Sequence, residues 1–201
     1  MKVLLINGSP HKNGTTAAAL AAVARALNER GIETELFSLA GATMEDCRGC
    51  GACVTLGKCV IDDEVNRFAL LAKAADGFVF GSPTYYAHPS GRLLSFMDRL
   101  FYSAGKALRH KPAAAVTVAR RGGNTSGFDV INKYFTINEM PVVSSTYWNM
   151  VYGANAEDAA LDEEGLATME NLGKNMAHLL AALECAPAPE ESVRKRTNFI
   201  R

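Results

Sequence analysis

The chain has 201 residues, 48% of them hydrophobic, which is enough to bury a large apolar core in one domain. Lysine plus arginine equals aspartate plus glutamate at 21 each, so no net field draws the protein toward nucleic acid or an anionic membrane. Met1 runs straight into the apolar KVLLI without the features of a secretory leader, and no apolar stretch reaches about 18 uninterrupted residues, so a cytoplasmic protein is expected.

The first predicted strand, over 2–7, leads into NGSPHKNGTT and then into a predicted helix over 15–30. Leu20, Val23, Ala24 and Leu27 form its apolar stripe, and Gly31 suits the left-handed position after its end. Small hydroxyl residues, glycines and open N–H groups at a helix N-terminus make a cradle for an anion. Ser9, His11, Asn13, Thr15 and Thr16 are the candidate phosphate residues. Gly8 and Gly14 are too far apart for a Walker A loop, and Thr15 stands where that loop needs lysine. G-x-G-x-x-G is absent as well, so a single phosphate such as that of FMN fits better than a nucleoside triphosphate or a tightly held NAD. The competing reading is that these residues only turn the chain and cap the helix.

After a strand predicted over 33–39 comes CRGCGACVTLGKC, which places Cys47, Cys50, Cys53 and Cys59 within thirteen residues. In a reducing compartment such a cluster points to metal or redox chemistry rather than disulfides. Three readings stay open: an iron–sulfur cluster, a zinc ion, or a metal-free loop whose C-x-x-C pair cycles between dithiol and disulfide beside Arg48 and Lys58. The C-x2-C-x2-C-x5-C spacing is not that of a bacterial ferredoxin, and zinc more often takes two well-separated pairs.

A helix over 64–74 and a strand over 77–82 follow, then GSPTYY, in which Pro83, Thr84, Tyr85 and Tyr86 can border a planar ring. Next come a helix over 90–108, a strand over 113–119 and the loop RRGGNTSG. There Gly122 and Gly123 allow close backbone approach, and Arg120 or Arg121 can balance a reduced, anionic flavin. A helix over 127–139, a strand over 142–148 and a helix over 162–184 complete the pattern. Cys185 reads as a small buried hydrophobe, and His88, His110 and His178 read as packing or surface residues. Five strands alternating with helices predict an α/β doubly wound parallel sheet of order 2-1-3-4-5, its ligand crevice beside the first and third strands.

GSPHKNGTT, the cysteine loop, GSPTYY and the basic Gly-Gly loop, in this order, resemble the NADPH-dependent FMN reductase and iron–sulfur flavoprotein group of flavodoxin-like proteins. The resemblance covers nearly the whole chain. It implies that Ser9, Asn13, Thr15 and Thr16 hold the FMN phosphate, that Pro83, Thr84, Tyr85 and Tyr86 border the flavin, and that Gly122 and Gly123 lie at its pyrimidine edge. His11 stands where relatives have arginine or lysine, so its charge at the phosphate would vary near neutral pH. The resemblance also makes the four cysteines ligands of a [4Fe–4S] cluster and implies a homodimer or homotetramer. The expected organisation is an FMN-binding domain over 1–185, with its cysteine-rich loop at 44–60, and a basic tail over 186–201, read either as a disordered terminus or as an arm that crosses to a neighbouring subunit. The implied activity is an oxidoreductase that takes electrons from NAD(P)H or a ferredoxin-like donor and passes them to a quinone or flavin. An electron carrier between protein partners, and a binding module with structural zinc, are the alternatives.

Overall fold

A computed structural model describes residues 1–186 together with residues 189, 190, 193, 195 and 197. Among these residues five strands run parallel: β1 (Lys2–Asn7), β2 (Glu33–Ser38), β3 (Gly77–Tyr85), β5 (Ala113–Ala119) and β6 (Met150–Tyr152). A two-residue strand, β4 (His88–Pro89), folds back antiparallel on the end of β3. The order is β2-β1-β3-β5-β6, the doubly wound arrangement expected, with the hairpin strand added. The main helices are α1 (Thr15–Asn28), α3 (Glu64–Ala74), α4 (Gly91–Ala104), α5 (Asn124–Ile137) and α7 (Glu163–Glu184). Two short ones, α2 (Cys53–Leu56) and α6 (Ala156–Ala159), lie in connections.

The period-two alternation of a strand sends Val3 and Leu5 to one face of the sheet and Leu4 and Ile6 to the other. The first face packs on α1 and α7 through residues such as Leu20, Val23, Leu172 and Met176. The second packs on α3, α4 and α5 through an aromatic cluster in which Phe68 meets Phe37 and Phe96 edge-on. Because the main strands are parallel, the segments that leave β1, β2, β3 and β5 emerge at one edge of the sheet. Backbones come very close there: Gly8 N–H donates to Gly81 O at 2.8 Å, and a Cβ on Gly8 would lie 2.8 Å from Leu93 Cβ.

Four expectations are corrected. The last strand is Met150–Tyr152 rather than 142–148, and of the earlier run only Val142 bridges Ala113. Helix α7 draws the intervening residues off the sheet, because Ser145 Oγ donates to Thr168 O, and Asn171 and Asn175 donate to Ser145 Oγ and Ser144 O. Tyr147 and Trp148 then stand exposed as a ring pair. Cys185 is exposed, not buried, because it caps α7 beyond Leu180, the last buried residue of that helix. The helix expected over 90–108 ends at Ala104 and continues only as a 3-10 turn, Gly105–Ala107, against Asn138, whose Nδ2 donates to Gly105 O. Helix α5 begins at Asn124, three residues earlier than expected. Most of the basic tail, with the inter-subunit arm expected of it, lies outside the described residues. No helix among the described residues is long and apolar enough to cross a membrane.

Helices α1 and α7 cross at Gly173, where a Cβ would lie 2.7 Å from Ala26 Cβ and 2.8 Å from Val23 O. Gly173→Ala should therefore lower stability by about 1–3 kcal/mol through overpacking, outweighing the smaller gain in helix propensity. Urea unfolding checks this, and an unchanged or raised midpoint contradicts it.

Candidate functional site

At the carboxyl edge the loop after β1 is shaped by Asn7, which is fully buried. Its Oδ1 accepts from Ser9 N–H at 3.0 Å, its Nδ2 donates to His11 O at 3.2 Å, and Ser9 Oγ accepts from His11 N–H at 3.1 Å. The loop is thus held open by its own side chains, with His11 and Asn13 exposed and Ser9, Thr15 and Thr16 buried. The Thr15 hydroxyl donates to Gly153 O and Asn155 O, at 3.2 and 3.0 Å, and so ties the helix start to the segment after β6. That proton is engaged within the chain, which leaves backbone N–H groups and the other hydroxyls to face an anion.

A second network joins this loop to the end of β3. Ser90 caps α4, accepting from Leu93 N–H, while its hydroxyl donates to Gly8 O at 2.7 Å and its N–H donates to Ser82 Oγ at 2.9 Å. Between β3 and β4 the chain turns in two residues, Tyr86 and Ala87, with φ of 50° and 60°. Positive φ at both central positions is the type I′ geometry, and neither residue is glycine or asparagine, so the turn stores about 1–2 kcal/mol of strain per residue. Tyr85 is half exposed and Tyr86 fully exposed. The turn abuts Gly123, whose φ is +89° and where a Cβ would lie 3.2 Å from Ala87 Cα. Arg120 and Arg121 are both exposed, as are Gly122 and Gly123. Two buried polar atoms flank this approach without a partner in the chain, Thr84 Oγ1 and Asn124 Nδ2. A buried donor left unsatisfied costs about 1–3 kcal/mol, and a ligand with ring nitrogens and carbonyls would supply the missing partners. FMN fits that demand and the anion loop beside it.

The four clustered cysteines all line one cavity of about 230 Å³. Gly49, Gly51 and Gly57 have φ between 61° and 69°, which lets the backbone double back between the thiols. Among the described residues no three ligating side chains converge tightly enough to hold a metal ion. The floor of the cavity is Arg99, whose side chain is 1% exposed. Its guanidinium donates to both Asp63 carboxylate oxygens, at 2.6 and 2.8 Å, to Ile61 O at 3.0 Å, to Glu45 O at 3.3 Å and to Cys59 Sγ at 3.3 Å. Burial disfavours its charge, but Asp63 and Cys59 more than offset this and hold the pKa above its ordinary value. Cys59 is further fixed by Asn66, which accepts from Cys59 N–H at 3.0 Å and donates to Cys59 O at 2.9 Å. Cys47 and Cys50 are exposed, and Cys53 Sγ reaches only Tyr102 O, at 3.8 Å.

The structure thus brings Cys47, Cys50, Cys53 and Cys59 together, and places Ser9, Thr16, Thr84 and Gly123 along one sheet edge. Sequence reasoning missed Asn7, Asp63, Asn66, Arg99 and Asn124. A signal existed for Arg99, since it lies three residues after Phe96 on the buried stripe of α4, where a charge needs a partner.

The sequence profile described as NADPH-dependent FMN reductase matches residues 1–155. The chain belongs to that family. An iron–sulfur flavoprotein of Methanocaldococcus jannaschii is 36% identical over 92% of this chain and 100% of its own length. An iron–sulfur flavoprotein of Methanosarcina thermophila is 28% identical over 92% of this chain and 97% of its own. Among solved structures, RosB with bound 8-demethyl-8-formylriboflavin-5′-phosphate superposes with a TM-score of 0.75 at 14% identity, covering 100% of this chain and 92% of the other. This FMN reductase family member is therefore a flavodoxin-like flavoprotein oxidoreductase.

Removing one partner of a buried ion pair leaves the other charge uncompensated. Arg99→Met is expected to lower stability by about 3–5 kcal/mol, and Asp63→Asn in the same chain to restore much of that loss. Chemical denaturation of the two variants checks the pair, and additive losses contradict it.

Proposed function

We propose that this protein takes electrons from NAD(P)H, or from a ferredoxin-like donor, through bound FMN and passes them to a small acceptor such as a quinone or flavin, with Cys47, Cys50, Cys53 and Cys59 as ligands of a [4Fe–4S] cluster. The observation that carries this reading is the gathering of four thiols around one cavity on the sheet edge that also bears the anion loop and the unsatisfied Thr84 and Asn124 groups. Four thiols lining one cavity of about 230 Å³ would supply the four thiolate ligands a cluster takes, whereas zinc more often takes two well-separated pairs. When bound, the flavin supplies the exchange between hydride and single electrons, and the cluster a one-electron store.

The chain's own residues position and shield. Ser9, Asn13, Thr16 and the first N–H groups of α1 hold the phosphate, with His11 exposed on the same loop. Asn124 and Thr84 hold the polar edge of the ring, and Gly123 leaves room for it. Tyr85 and Tyr86 flank the open face where nicotinamide or a quinone would stack. Arg120 and Arg121 stand at the rim, available to an anionic reduced flavin or to a dinucleotide phosphate.

A second reading, an electron carrier between protein partners, is favoured by the names of the curated relatives and by the apolar rim of the thiol cavity. Val60 and Tyr102 line the cavity and are exposed, and Val54 and Leu56 are exposed on the adjoining α2. A homo-oligomer belongs to either reading, because an apolar rim beside a redox group is a surface for a second chain.

Oxygen-free protein supplied with FMN, iron and sulfide should show flavin bands over a broad iron–sulfur shoulder and be bleached by NADPH. Iron uptake with negligible turnover of NADH and NADPH selects the carrier, and protein that leaves FMN fluorescence unquenched overturns both readings. Asn124→Leu should weaken FMN binding by about three- to tenfold, the worth of one hydrogen bond. Fluorescence titration reads this, and unchanged affinity removes Asn124 from the flavin site.

A further inference from the structure

We propose that Arg99 is a positioning residue for the redox centre, and that the N–H it donates to Cys59 Sγ raises the reduction potential of the cluster which that sulfur ligates. The inference rests on the cluster reading above and adds a residue that no cysteine motif contains. Of the four thiols only Cys59 is held from both sides: Arg99 Nε lies 3.3 Å from its Sγ, and Asn66 clamps its backbone N–H and C=O. Reduction puts electron density onto the thiolate sulfurs, and a donor aimed at one of them stabilises the reduced form more than the oxidised form.

The two terminal nitrogens of Arg99 are occupied by Asp63, Glu45 O and Ile61 O, so the guanidinium cannot turn away from the sulfur without breaking an ion pair in a buried place. The same partners separate the hydrogen bond from bulk charge. Asp63 neutralises Arg99, so the pair adds little net field at the cavity, and what remains is one directed N–H. Lysine can keep the ion pair with Asp63, but a compact ammonium cannot reproduce the planar fork that serves Asp63, two carbonyls and a sulfur together. Arg99→Lys therefore removes the sulfur contact while leaving the charge.

Wild-type and R99K proteins, reconstituted anaerobically with iron, sulfide and FMN, are analysed for iron per chain, and the cluster and flavin midpoints are measured on one sample by spectroelectrochemical titration. R99K should carry the wild-type iron and flavin content, with the cluster midpoint shifted negative and the flavin midpoint unmoved. A cluster midpoint equal to that of wild type overturns the proposal. Should R99K lose its iron, wild-type protein made with isotopically labelled arginine decides: the reduced cluster should show coupling to labelled nitrogen in pulsed EPR, and that coupling should persist in Arg48→Lys. Its absence from wild type, or its loss with Arg48, overturns the role of Arg99. Wild-type protein that takes up no iron overturns the cluster reading itself, a failure visible in the metal analysis before any potential is measured.

Discussion

The ion pair between Arg99 and Asp63 is the constraint on which the redox edge of this molecule depends. Between β2 and α3 the chain leaves the sheet for a long excursion with little regular structure and, after Leu39, no buried residue, so the hydrophobic effect alone does not fix its path. Helix α4 fixes it with two arginines one heptad apart. Arg92 donates to Leu39 O where the excursion begins, and Arg99 joins Glu45 O on its outward leg to Ile61 O and Asp63 where it returns. Asp63 also caps α3, accepting from Val65 N–H, so the carboxylate that neutralises the arginine starts the next helix as well.

The same helix carries the other half of the site. Its cap, Ser90, is bonded to Gly8 O in the anion loop and to Ser82 at the end of β3, and Arg99 lies nine residues further on, about 13 Å along the axis. The anion loop, the end of β3 and the thiol loop are therefore mounted on one rigid element whose inner face, Leu93, Phe96, Met97 and Leu100, is buried in the aromatic core. On the proposed function, such a mounting would keep the separation of flavin and cluster from fluctuating with the loops that touch them.

Most of the fold was legible because it follows from local pattern. Strand and helix periods alternate cleanly, and the loops rich in glycine and hydroxyl residues fall where parallel strands end. The last strand was not legible. VVSSTYW has strong β character, yet polar side chains of α7 capture its serines, and that competition is invisible until α7 is in place. The site divided in the same way. Cysteines, glycines and tyrosines announce themselves by spacing, whereas Arg99 meets Asp63 and Cys59 across 36 and 40 residues of sequence, beyond any local window. Asn124 falls in the loop RRGGNTSG ahead of the helix expected from 127 and is instead a buried amide with an unmet N–H, a property that exists only after folding.

The turn at Tyr86 and Ala87 bears on how reactants come and go. A connection this short, stiffened by ladder pairing on both sides and wedged against Gly123, has no slack with which to open or shut like a flap. On the proposed function, traffic to the flavin would be governed by the swing of an aromatic side chain on a stationary post, a motion of picoseconds to nanoseconds rather than milliseconds, so the doorway would not be the slow part of a turnover.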